Sequence, residues 1–104
     1  PDGVPSFTKR QAALQAAYEQ ALVRASPDFQ TQYGYDPTPP GQANMTMSTT
    51  SFAERFDFLA LTLEQPFKDT ADSPNEAVGW SPERCRQLGR ANLDALLAVI
   101  HDLR

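Results

Sequence analysis

A chain of 104 residues is long enough for one small domain and too short for two ordinary ones. Its formal net charge of -4, with no basic stripe, argues against a nucleic-acid binder, and no apolar run is long enough to span a bilayer. The hydrophobic share of 40% and charged share of 21% fit a globular core, and the single Cys85 cannot close an internal disulfide, so a reducing compartment, the cytoplasm, is the expectation.

The opening "PDGVPSFTKR" lacks the charged start and apolar centre of a secretion signal. It has no initial methionine and reads as a loop, as a piece of a longer polypeptide would. Thr8 and Gln11 then stand at capping-box spacing, where the two side chains satisfy backbone donors that the first turn leaves free. Leu14, Ala17, Tyr18, Ala21 and Leu22 follow at helical spacing, so the sequence predicts a helix ended by Ser26-Pro27, with Tyr18 on its core face.

The stretch "FQTQYGYDPTPPGQANMTMSTT" is predicted to be irregular, because Pro37, Pro39 and Pro40 cannot join a helix interior or a central strand. A loop this long is either disordered or functional. Tyr33 and Tyr35 could meet a ligand through their hydroxyls or pin the loop to the body. Ser51 and Glu54 again have capping-box spacing, which predicts a short helix beginning there.

"FLALTLEQP", residues 58–66, is apolar, short and quickly broken by proline, which fits a strand better than a helix. Phe58, Ala60, Thr62 and Glu64 would share one face and Leu59, Leu61 and Leu63 the other. Two apolar faces suit a strand covered on both sides, in the parallel or mixed sheet of an α/β fold, where sites form beyond the carboxyl ends of strands. Glu64 would stand at such an end, either as a paired or solvated terminus or as a working carboxylate. A second loop leads to "SPERCRQLGRANLDALLAVIHDLR". Ser81, Pro82 and Glu83 give a clear helix start, and Cys85, Leu88, Asn92, Leu96, Val99, Ile100 and Leu103 form the predicted apolar stripe, widened by Leu93 and Leu97. One strand cannot make a sheet, so its partners are expected outside this chain.

Other chemistry is sparse. His101, the one histidine, falls where it would complement a helix dipole, and Cys85 falls on the apolar stripe. No Cys/His cluster with metal-ligand spacing and no glycine-rich phosphate loop is present.

The order "YGYDPTPPGQANMTMSTTSFAERFDFLALTLEQPFKD" followed by "GWSPERCRQLGRANLDALL" resembles the C-terminal part of zinc metallocarboxypeptidases, in the bacterial branch similar to cytosolic carboxypeptidases. "TLEQPFKD" is its most specific piece. The resemblance implies the C-terminal portion, residues 1–104, of a single mixed-sheet, helix-flanked catalytic domain. It also implies Glu64 as catalytic base, Thr62 lining the pocket for the substrate's terminal side chain, and Tyr35 (or Tyr33) closing over the substrate. Zn2+ would polarise the scissile carbonyl, with ligands supplied from upstream, since the family's His-x-x-Glu motif has no match here. A peptide or protein C-terminus is the implied substrate, and the remainder of the catalytic domain the implied partner. The branch implies an acidic C-terminal residue, although "MTMSTTSF" offers no basic residue to meet it. The alternative from another class is a binding or scaffolding domain that keeps the carboxypeptidase outline without chemistry.

Overall fold

A computed structural model describes residues 2–103. Among these residues three helices carry the fold: α1, Lys9–Ala25; α2, Ser48–Phe56; and α3, Pro82–Val99, which runs into a 3-10 turn at Ile100–Asp102.

The caps of α1 and α3 stand where the sequence places them. Thr8 Oγ1 accepts from the Gln11 N–H, and Gln11 Oε1 accepts from the Thr8 N–H, both at 3.1 Å. Ser81 accepts from the Arg84 N–H, with Pro82 in the first turn, where its missing donor costs nothing. α2 differs from expectation. It begins three residues before Ser51, at Ser48, with no side-chain cap. Glu54 instead accepts from the Ser6 N–H at 2.9 Å and from the Ser6 hydroxyl at 2.7 Å, a partner 48 positions away that local spacing could not reveal.

The core lies between α1 and α3, where Ala21, Leu22, Leu88, Ala91 and Ala95 are buried. Burying Leu22 is worth about 1.5–3 kcal/mol, and the alanines let the two helices approach closely. Tyr18 packs against this cluster, as expected, and donates its hydroxyl to Asn92 Oδ1. Burial pushes the Tyr18 hydroxyl above its ordinary pKa. The buried stripe of α3 is Arg84, Leu88, Ala91, Ala95 and Val99, rotated from the predicted one. Leu93, Leu96, Leu97 and Ile100 are exposed. A stripe read from hydropathy favours the leucines, whereas close helix packing selected the alanines.

The expected α/β fold is not observed. Among the described residues there is no strand and no sheet, and residues 57–66 carry no regular structure. A strand exists only by pairing, and among the described residues no backbone–backbone hydrogen bond involves residues 58–74. The apolar alternation of 58–64 reports side chains suited to burial, but it supplies no ladder. The radius of gyration, 14.9 Å, exceeds the roughly 13 Å of a compact domain this long. Large apolar side chains such as Phe56, Leu61 and Leu63 accordingly remain exposed.

Candidate functional site

Two irregular segments face each other across an open groove of about 710 Å3, a volume within the range of small-molecule sites. One wall is the chain leaving α1, residues 27–35. The other follows α2 and carries residues 62–66 and 70–72. Pro27 turns the chain out of α1, and the positive φ of Asp57 turns it out of α2, so both walls leave their helices abruptly.

Glu64, Thr62 and Tyr35, singled out from the sequence for different reasons, all line this groove. Glu64 is exposed to solvent within it. The Thr62 and Thr49 hydroxyls share a hydrogen bond of 3.0 Å, which ties the segment bearing Glu64 to α2. Tyr35 is 86% exposed, so its ring borders the groove without being packed against the body. Tyr33 lines the groove too, and the Gln30 side chain holds its backbone by accepting from the Tyr33 N–H at 2.6 Å and donating to its carbonyl at 2.7 Å. His101 is exposed in the terminal 3-10 turn, away from the groove, and Cys85 is half-buried on α3.

Sequence reading missed Arg84. Its guanidinium is nearly buried and lies beneath the groove. Nη2 donates to Asp28 Oδ1 at 2.6 Å, to Thr70 Oγ1 at 3.0 Å and to the Ser73 carbonyl at 2.8 Å. Nε donates to Asp28 Oδ2 at 3.3 Å, while Nη1 donates to Asp69 Oδ1 at 2.8 Å and to the Gly79 carbonyl at 3.2 Å. The Trp80 ring lies against the guanidinium, 4.9 Å from its centroid. Partial burial pushes the Asp69 carboxyl up, but the Asn75 N–H, the Arg84 guanidinium and the Thr70 N–H outweigh it and hold that carboxyl below its ordinary value. A signal was available in the sequence. Position 84 is in register with Leu88, Ala91 and Ala95, and an arginine on a core register needs carboxylate partners.

No protein-family model matches the chain. A metallo-carboxypeptidase from Pseudomonas aeruginosa, solved in complex with (2-guanidinoethylmercapto)succinic acid, matches 99% of this chain and 28% of its own, with a TM-score of 0.93 and 34% identity. A metallo-carboxypeptidase from Burkholderia cenocepacia matches 93% of this chain and 26% of its own, with a TM-score of 0.86 and 42% identity. The likeness supports the metallocarboxypeptidase family. An uncharacterized protein of Zymomonas mobilis is 44% identical over 102 residues, 98% of this chain and 27% of its own. The chain thus spans about a quarter of the length of the relatives it matches.

Metallo-carboxypeptidase neighbours imply a metal cofactor. The described residues do not fit one: among them no group of three or more His, Cys, Asp or Glu side chains is placed to hold a metal ion. Among the described residues, no helix is long and apolar enough to cross a membrane.

Proposed function

We propose that this chain is the C-terminal portion of the catalytic domain of a zinc metallocarboxypeptidase, which removes a C-terminal amino acid from peptides or proteins. The zinc ligands lie in the part of the protein that this chain does not span. The observation that carries the reading is the convergence of Thr62, Glu64 and Tyr35 on one open groove in a chain that resembles metallo-carboxypeptidases over nearly its whole length.

Glu64 acts as the general base. Its carboxylate takes the proton of the attacking water and passes it to the leaving amine. Thr62, held by Thr49, lines the pocket for the terminal side chain. Tyr35, unpacked at the opposite wall, is free to turn over the bound peptide.

The groove lining carries Asp28, Glu64 and Asp72 and, among the described residues, no lysine or arginine. These positions therefore lend no support to an acidic terminal residue as substrate, the expectation from the cytosolic-carboxypeptidase-like branch.

The test is Glu64→Gln in the longest natural polypeptide that contains this sequence. The expected result is a loss of kcat of roughly 10²-fold or more, with metal content and urea midpoint unchanged. Near-normal turnover would overturn the assignment.

A further inference from the structure

The two walls of the groove belong to different parts of the chain. Among the described residues, no hydrogen bond of backbone or side chain runs between residues 27–35 and residues 62–72. Both are bound instead to a third party on α3. Arg84 holds Asp28, in the first wall, and Asp69, Thr70 and Ser73, at the end of the second. Asp28 and Thr70 line the groove themselves, whereas Arg84 does not.

We propose that Arg84 is a positioning residue for the candidate active site: its guanidinium fixes the separation of the two walls and thereby the affinity for the peptide. The inference rests on the reading of this groove as the substrate site. A planar guanidinium presents donors in a rigid fork, so it can hold two carboxylates in directions fixed relative to one another. A lysine ammonium cannot do this at one point. The surroundings make the fork rigid. Trp80 covers one side of it, and the Ser73 and Gly79 carbonyls take its remaining donors. With Asp28 only 7% exposed and Asp69 29% exposed, both side chains are partly removed from water. Without the cation between them, the two carboxylates repel and the walls separate.

Glu64 is held differently. Its segment is tied to α2 through Thr62 and Thr49, outside the Arg84 cluster. Loosening the clamp should therefore weaken binding more than the chemical step.

The experiment uses Arg84→Lys and Asp69→Asn in the natural polypeptide, with Glu64→Gln alongside. Steady-state kinetics on a peptide substrate are combined with hydrogen exchange at the Thr70 and Asn75 amides, which donate to Asp69. For Arg84→Lys the expected result is a KM raised roughly tenfold, with kcat within about threefold, the pattern of an interaction lost equally from ground state and transition state. Exchange at both amides should quicken at least about tenfold while the amides of α1 keep their protection. Asp69→Asn is nearly isosteric and lies at the surface. It should show the same pattern at smaller amplitude, and it carries the test if the lysine variant does not fold. Loss of turnover in Glu64→Gln with unchanged KM in both clamp variants would overturn this inference alone. Near-normal turnover in Glu64→Gln would overturn it together with the proposed function. An activity loss confined to kcat, or one that follows the urea midpoint, would also overturn it.

Discussion

Gln11→Glu separates what the capping motif implies from what the fold requires. Glutamate serves the last position of a capping box as well as glutamine, and a negative charge in the first helical turn gains about 0.3–1 kcal/mol from the helix dipole. By local rules the substitution is neutral or favourable. In the structure, however, Gln11 is 1% exposed, and its Nε2 donates to the Ala53 carbonyl of α2 at 2.8 Å. An ionised glutamate keeps the bond from the Thr8 N–H but has no donor for Ala53. The Ala53 carbonyl keeps the Asp57 N–H at 3.0 Å, so the group left buried without a donor is the new carboxylate oxygen, at a cost of about 1–3 kcal/mol, and its position against the carbonyl adds repulsion. After the dipole gain is subtracted, the net loss at pH 7 is about 2 kcal/mol, or roughly 1 M in the urea midpoint for an ordinary slope. A carboxyl buried beside an acceptor has its folded pKa raised, because its protonated form can donate to Ala53. The variant's deficit should therefore shrink as pH falls from about 7 toward about 5. Gln11→Met, which loses both bonds, should show a deficit that does not change with pH. Urea unfolding of the natural polypeptide at several pH values measures both variants. A Gln11→Glu protein as stable as the parent at pH 7, or a deficit indifferent to pH, would refute the reasoning.

Leu22→Ala should cost about 3 kcal/mol in the same assay, because the facing Ala91 and Ala95 are too small to fill the space and helix packing prevents collapse. Leu22→Met should cost less than about 1.5 kcal/mol, and equal losses for the two would refute the packing account. Asp69 predicts an acid limb. Its folded carboxyl is held below the ordinary value of 3.8, so its contribution is present above that pH and disappears as pH falls through the lower folded value. The stability difference between the parent protein and Asp69→Asn should accordingly vanish at the acid end, and a difference that persists there would contradict the assigned shift.

The parts of this fold that could be read from the sequence are those whose causes are local. The Thr8–Gln11 box, the Ser81-Pro82 start and the Pro27 stop each act within a few residues, and each stands where spacing puts it. The start of α2 was misplaced because Ser51 and Glu54 satisfy the same spacing rule while Glu54 is engaged by Ser6. Residues 58–64 failed as a strand for a related reason: alternation describes one segment, and pairing needs two. At the site, the resemblance carried by "TLEQPFKD" singled out Glu64 and Thr62, and the structure puts both on one groove with Tyr35. Arg84 was overlooked because its partners, Asp28 and Asp69, lie 56 and 15 positions away, where no spacing rule reaches.

Two kinds of force divide the molecule. Apolar packing joins α1 to α3, and Phe29 and Trp80 rest against the same cluster. Beyond Phe29, the segments that carry the candidate site are held mainly by polar bonds: Gln11 to Ala53, Ser6 to Glu54, Thr8 to Asp57, Thr49 to Thr62, and the Arg84 cluster. Apolar burial contributes in proportion to area and tolerates small displacements, whereas a hydrogen bond weakens steeply with distance and angle. A site built on loops needs the second kind of constraint, because loops bury too little area for packing to fix them. Truncating a side chain in the α1–α3 core should thus lower stability while leaving the geometry of the groove in the folded molecules unchanged. Removing one polar suture should move a wall of the groove with a smaller loss of global stability. Arg84 shows how far the division goes: it occupies a core register on the packing helix, yet its guanidinium contacts belong to the loops beneath the groove.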